Sequence, residues 1–339
     1  MSESKKHILV IRLSAMGDVA MTVPVLRALI QQNPELKITI LTRAIFTPFF
    51  KDLPNVSVFP IDIKDRHKGF LGLYRLSKEL KNLNIDAIAD LHNVLRTNIL
   101  KWFFFGKIFI QIDKGRAEKK ALTNGTKVKQ LKTTHVRYAE VFEALGFKLD
   151  LSNPTFPNKA DLNNKTTLVV GKKETKWIGI APFAAHNGKM YPLDLMETVI
   201  ESLSKSFKVF LFGGGDREIK VLDQYEQRFK NVVNLAGKLT LEEELDVISN
   251  LDVMLSMDSG NAHIAAMLGV KTVTIWGVTH PFAGFAPFHQ PKDYTLLANR
   301  EQYPKIPTSV YGNKYPKGYE KAAGSVLPEM VIKKIKSII

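Results

Sequence analysis

The sequence predicts an α/β protein built from two Rossmann-like, doubly wound parallel-sheet domains facing a cleft. Three observations carry this expectation. Short apolar runs alternate with amphipathic segments of helical period, a stretch rich in Pro, Asn and Lys interrupts the alternation near the middle, and the alternation then restarts. Each half of the 339-residue chain is close to the size of one ordinary domain, about 150 residues.

In order, strands are expected at HILVIRL, KITILT, VSVFP, DAIADLH and IFIQID, with helices over Asp18–Gln32, Gly69–Leu83 and Leu95–Phe104 between them. Most of these strands are apolar along their length rather than alternating. That is the pattern of strands covered by helices on both faces, and parallel pairing needs such crossovers. Asp150–Thr167 reads as the linker. Beyond it, WIGIAP, KVFLFGG, NVVNLAG, DVMLSMD and KTVTIWG repeat the scheme, and amphipathic Pro328–Ile339 closes the chain as a helix. The expected division is residues 1–160, residues 161–325, and a final helix over 326–339 that packs back on the first domain.

Composition sets outer limits. The chain has no cysteine, which excludes disulfides, thiol nucleophiles and Cys-ligated metals. Its start, MSESKKHILV, lacks a signal-peptide pattern, and no apolar run approaches the ~18 residues of a membrane span, so the expected location is the cytoplasm. The net charge of +15 is uneven: residues 1–160 carry 26 Lys and Arg against 14 Asp and Glu, and residues 161–339 carry 22 against 19. Nine of the basic residues lie between Lys101 and Lys132, where Asp113 and Glu118 are the acids. Such a run is either a solvated face or a field that gathers an anionic partner. No interleaved aromatic pattern or recognition motif accompanies it, so nucleic acid is not expected.

Four stretches fall after strands, where doubly wound sheets bind ligands. The first, VIRLSAMGDVAMTVPVL, has the strand–turn–helix form of a nucleotide site but places Asp18 at the helix mouth. That acid either favours the helix dipole or accepts a proton; it repels a diphosphate. The second, APFAAHNGKMYPLD, offers Lys189 to a phosphate or to solvent. The third, FLFGGGDRE, reads G-x-G-x-x-Glu and so fails the dinucleotide fingerprint. The fourth, MLSMDSGNAHIAAMLG, is the strongest: the Asp258-Ser259-Gly260 turn opens a helix whose N–H groups suit a diphosphate, with His263 one turn in. Walker A, H-E-x-x-H, G-x-S-x-G and D-x-D patterns are absent, and the last absence disfavours a carboxylate-held metal at a sugar diphosphate. The missing fingerprint also disfavours an NAD-dependent oxidoreductase.

IRLSAMGDVAMTVPVLRAL, KMYPLD and SMDSGNAHIAAMLGVKTVTIWGVTHP, with DLHNVLRTNIL and THVRYAEVFEALG between, make the chain resemble glycosyltransferase family 9, the ADP-heptose–lipopolysaccharide heptosyltransferases. The resemblance covers nearly the whole chain. It implies a GT-B fold and an inverting transfer without metal or cofactor, from a nucleotide sugar to the inner core of lipopolysaccharide. Asp18 is then the catalytic base. Lys189, Asp216, Leu239, Asp258, Ser259, Gly260 and His263 are the donor-binding residues, with Asp216 toward the ribose and Leu239 toward the adenine. Ser14, Gly17, His92, Asn93 and Arg96, with Lys119 and Lys120 of the basic run, are the acceptor-binding ones. The acceptor is expected to be anionic lipopolysaccharide or lipid A–Kdo, reached by peripheral contact with the inner face of the cytoplasmic membrane. Alternatives are a transferase of the same fold using another nucleotide sugar and a non-catalytic glycan-binding relative. Three departures stand out: Ser259 replaces the commoner threonine, GVTHP stands where many relatives have G-P-T-D-P, and Tyr303–Tyr319 lacks the cysteines many relatives carry.

Overall fold

A computed structural model describes residues 6–339. The chain forms two compact units, the first comprising residues 1–114 and 134–155, the second 115–133 and 156–339. In the first, β1 (His7–Ile11), β2 (Lys37–Arg43), β3 (Val56–Ile61), β4 (Ala87–Asp90) and β5 (Ile108–Gln111) make one parallel sheet, ordered β3-β2-β1-β4-β5. Its helices are α1 (Met16–Ala20), α2 (Thr22–Gln32), α3 (Gly69–Lys81), α4 (Leu95–Phe103) and, after an excursion of the chain, α6 (Thr134–Ala144); the excursion carries α5 (Arg116–Thr123). β1 is buried at all five positions, as its apolar run requires, and Leu9, Ile11, Leu41, Leu76 and Leu100 are among the core residues around it.

The second unit adds α7 (Asn164–Val170), β6 (Trp177–Ala181), α8 (Leu193–Ser204), β7 (Lys208–Leu211), α9 (Asp216–Arg228), β8 (Val232–Asn234), α10 (Leu241–Ser249), β9 (Val253–Met257), α11 (Gly260–Met267), β10 (Thr272–Trp276), β11 (Thr295–Leu297) and α12 (Pro328–Ile338). Its six strands are parallel in the order β11-β10-β9-β6-β7-β8. Both units thus share one device: the chain winds outward from a central strand, then returns to that strand's other side. The order reverses between β1 and β4 in the first unit and between β6 and β9 in the second, and loops diverging there leave a crevice.

Four sequence expectations need correction. The helix expected over Asp18–Gln32 starts at Met16 and is divided in two at Met21, which places Asp18 in the third position of a short first helix. The 1–160 boundary is not a single cut, because Gly115–Thr133 belongs to the second unit. There Leu122 and Leu131 share an apolar cluster with Ala283, and the Leu131 N–H donates to the Phe282 carbonyl (2.9 Å). The expected linker is also structured: α7 begins inside it, capped by the Asn163 side chain accepting from Thr166 N–H (2.8 Å). Lastly, the final helix is not a separate closing element: α12 belongs to the second unit. Val331 and Ile335 lie in that unit's core, and just before the helix the Tyr191 hydroxyl donates to the Val326 carbonyl (2.7 Å).

Candidate active site

In the first unit the loops after β1 and β4 meet at the reversal point, where Ile11 pairs with Asp90. Arg12, the cation that follows the buried strand β1, is nearly buried. Its guanidinium binds the Asp18 carboxylate (2.5 Å) and donates to the Leu91 carbonyl (2.6 Å). Asp18 keeps 26% of its side chain exposed. It also accepts from Ala15 N–H (3.3 Å), and the Tyr138 hydroxyl donates to its backbone carbonyl (3.2 Å). The carboxylate is therefore held from two sides and remains open to a solute on another. Ser14 and Gly17 flank it, both half-buried.

His92 and Asn93 lie beside this pair. Asp90, fully buried, accepts from both of their backbone N–H groups (2.9 Å each) and from the Gln111 side chain (2.9 Å). The Leu13 N–H donates to His92 Nδ1 (3.4 Å), so that nitrogen carries no proton. Burial, then the charges of Arg12 and Lys114, pull the His92 pKa down to about 4. Asn93 anchors to the Ile112 carbonyl (2.9 Å), and Arg96 is half-buried in the first turn of α4. The structure thus gathers Ser14, Gly17 and Asp18, on the turn and short helix after β1, with His92 and Asn93 on the loop after β4. Lys119 and Lys120 lie on α5, in the second unit, where Lys119 Nζ stands 4.3 Å from the Phe285 ring centre.

In the second unit the loops after β6 and β9 meet in the same way, where Ala181 pairs with Ser256. Lys189, in a short 3₁₀ turn, binds the Asp258 carboxylate (2.8 Å). Thr279, from the loop after β10, donates to the same oxygen (2.8 Å). Asp258 is only 5% exposed, so this is a desolvated pair with an extra hydrogen bond. Ser259 is the residue preceding α11, and its hydroxyl lies 3.0 Å from that of Ser256. Gly260 opens α11, whose first N–H groups have no intrahelical partners. His263 is buried within the helix's second turn. After β7, Glu218 rather than Asp216 holds the glycine turn, accepting from Gly214 N–H (2.9 Å), while Asp216 is exposed at the start of α9. Leu239 is half-buried in the loop after β8. All seven donor candidates therefore lie at or just beyond the carboxyl ends of β6–β9.

Three contributors escaped the sequence reading. Arg12 could have been suspected as a charge ending a buried strand, and Asp90 likewise. Thr279 stands in the divergent GVTHP, and His280 beside it accepts from the Phe282 N–H (3.2 Å); burial and then Arg300 bring its pKa to about 4. The Tyr303–Tyr319 segment also contributes. Gly312, at φ +79°, lies so close to Lys189 that a Cβ would stand 2.6 Å from the lysine's Cγ. The segment is a wall packed along this side chain.

His92 and His280 give a pH dependence whose sign follows from their lowered values. The unfolded chain binds their protons near pH 6.5 and the folded chain only near 4. Stability is fully present above pH 6.5 and lost as the pH falls toward 4. Urea denaturation at about pH 7.5, 6 and 4.5 should show this slope, and it should flatten in the His92→Asn/His280→Asn double variant. An unchanged slope in that variant would assign the acid sensitivity to other groups.

A family model described as glycosyltransferase family 9 (heptosyltransferase) matches residues 73–315. The lipopolysaccharide core heptosyltransferase OpsX of Haemophilus influenzae is 25% identical over 83% of this chain and 81% of its own length. A lipooligosaccharide heptosyltransferase 2 of Campylobacter jejuni is 24% identical over 95% and 96%. The glycosyl transferase family 9 structure from Veillonella parvula superposes with a TM-score of 0.76 at 20% identity, covering 100% of this chain and 98% of that one. E. coli heptosyltransferase WaaC with ADP gives 0.69 at 17% identity, covering 98% and 100%. The two parallel-sheet units are those of the GT-B fold.

Proposed function

The chain belongs to glycosyltransferase family 9 and is a glycosyltransferase, and from that premise we propose that it moves heptose from ADP-heptose to the inner core of lipopolysaccharide, with inversion and without a metal. One observation carries the reading: each sheet's reversal point holds one half of the chemistry. In the first unit a half-buried carboxylate is fixed by a buried arginine. In the second an ammonium, fixed by a buried carboxylate, stands on the loop neighbouring the start of α11.

Asp18 takes the proton of the acceptor hydroxyl as that oxygen attacks the anomeric carbon of the donor. The bond from that carbon to the β-phosphate oxygen breaks, and ADP leaves with the electron pair. A single displacement from the face opposite the leaving group inverts the centre. Lys189 and the N–H groups opening α11 receive the charge that develops on ADP, a task suited to prearranged dipoles in a site poor in water. The carboxylate of Asp258 is engaged by Lys189 and Thr279, so its part is to aim the ammonium rather than to meet the diphosphate. Ser259 and His263 are assigned to the donor's hydroxyls, Asp216 to the ribose and the Leu239 loop to the adenine. The names of the relatives support heptose and lipopolysaccharide as the transferred sugar and acceptor class, and the ADP-bound structural neighbour supports the nucleotide. No described helix is long and apolar enough to cross a membrane, so a lipid A–Kdo acceptor would be met by peripheral contact.

The test is incubation with ADP-heptose and a lipid A–Kdo acceptor. A heptose mass increment should appear on the acceptor, and NMR should find the anomeric configuration inverted. Because Lys189 and helix N–H groups supply the positive charge, EDTA should leave the rate unchanged. A rate abolished by EDTA and restored by magnesium would overturn the metal-free step. Transfer from another nucleotide sugar alone would replace the donor, and glycan binding without any turnover would make the chain a non-catalytic relative.

A further inference from the structure

On the first unit, away from the loops at the reversal point, α3 and the end of α4 carry an aromatic surface. One face of α3 is in the core through Leu73, Leu76 and Leu80, while Phe70, Leu71 and Tyr74 stay exposed. From α4, Phe103 packs on both Phe70 (5.3 Å between ring centres) and Tyr74 (5.6 Å) and joins the two helices into one patch. Trp102, 70% exposed, lies tilted against Phe103 (5.7 Å between ring centres), and on the turn that follows Phe105 is 96% exposed. Contiguous apolar surface of this size is uncommon on a soluble monomer and marks contact with something else.

The surroundings of the patch select the occupant. Lys68, Arg75, Lys78, Lys81, Lys101 and Lys107 lie along the same two segments, whose single acid is Glu79. Glu79 is bound by Arg66 (2.6 Å) and His67 (3.2 Å), and the neighbouring Asp62 accepts from the N–H groups of Lys64, Asp65 and Arg66. The patch is therefore flanked in sequence by cations, of which Lys78 and Lys81 lie over the Tyr74 and Phe104 rings and Lys101 donates to Gln111 (3.1 Å), while these two carboxylates are engaged. Phe105 projects from a turn rather than filling a groove, which suits a soft, deformable phase better than a shaped protein pocket. Tryptophan, tyrosine and lysine at one level are what the headgroup boundary of a bilayer accommodates.

We propose that this surface docks the protein on an anionic phospholipid bilayer, with Trp102, Phe105, Phe70 and Leu71 entering the headgroup boundary and the lysines meeting lipid phosphates. The inference rests on the proposed function in one respect: it names the surface through which that reading's membrane-borne acceptor would be approached. It uses none of the residues assigned to the reaction. Exposed cations contribute through a field that salt screens, with a Debye length of about 10 Å at 0.1 M and about 3 Å at 1 M.

Co-sedimentation of the full chain with vesicles tests the docking. Phosphatidylglycerol vesicles should bind it and phosphatidylcholine vesicles only weakly, with binding falling at 1 M salt. Trp177 and Trp276 are buried, so a blue shift of tryptophan emission on binding would report Trp102. Trp102→Ser/Phe105→Ser should lower the partition coefficient by about a hundredfold, since two aromatic anchors are removed from an interfacial contact. An unchanged melting temperature should show that the fold is intact. Vesicle binding equal in parent and variant, or indifferent to lipid charge, overturns the proposal. So does a dimer in light scattering that the double variant abolishes, because the patch is then a contact between copies. The two readings fail separately: vesicle binding without transfer sinks the proposed function alone. Unimpaired transfer to a detergent-dispersed acceptor, without vesicle binding, sinks the docking alone.

Discussion

Asp18→Asn is expected to lower turnover by about 10²–10⁴-fold, the range ascribed to a positioned general base, with ADP affinity within about twofold of the parent. The substitution keeps the size of the side chain and a carbonyl for the Ala15 N–H, so the turn should survive. What is lost is the acceptor for a proton and the charge that faces Arg12. Arg12 retains the Leu91 carbonyl and the face of Tyr138, which limits the rearrangement. ADP binding, measured by calorimetry, separates chemistry from folding, because the donor candidates all lie in the second unit. A folded variant with near-normal turnover would return Asp18 to the role of a helix-dipole acid.

The second large effect concerns Lys189. Removing it as Lys189→Met leaves the Asp258 carboxylate in a site only 5% open to water with Thr279 as its remaining side-chain donor. Breaking one side of a buried pair costs about 3–5 kcal/mol. For a unit of this size that corresponds to a fall in melting temperature of roughly 10 °C. The same variant should lose ADP affinity by at least about tenfold, since a charge partner of the diphosphate is gone. Lys189→Met/Asp258→Asn separates the two consequences. The neutral amide no longer demands a cation, so stability should largely return while ADP affinity stays low. If ADP affinity returns together with stability, Lys189 is a structural partner of Asp258 and receives no phosphate.

Strands with one apolar identity were legible, because β1, β6, β9 and β10 are buried from end to end and nothing but a central strand uses such a run. β11 was not legible. It is a three-residue edge strand whose existence depends on pairing with β10, and Thr-Leu-Leu has no period to read. α7 was hidden for a related reason: its seven residues follow a run of Asn, Pro and Lys that imitates a linker, and the Asn163 cap decides the matter locally. Among the site residues, position along the chain was legible and partnership was not. Asp18 and the Asp258 turn are announced by strand–turn–helix patterns. Arg12 pairs with Asp18 across the turn after β1, which depends on the path of that turn, whereas Lys189 with Asp258 and Thr279 is a pairing created by strand order, and strand order leaves no mark in a local window. Lys119 and Lys120 show the converse. Their charge was visible, but the apolar positions Leu122 and Leu131, which fix the segment to Ala283 and Phe282, are too few to show to which core they belong.

The excursion of residues 115–133 has a consequence for how such a protein can be taken apart or recombined. The backbone passes from one unit to the other three times, at 114–115, 133–134 and 155–156. A gene cut after residue 155 therefore yields no self-sufficient halves: the first fragment exposes Leu122 and Leu131, and the second bares the Phe282–Phe285 surface they cover. Swapping a whole lobe with that of a relative would need three matched junctions rather than a single splice.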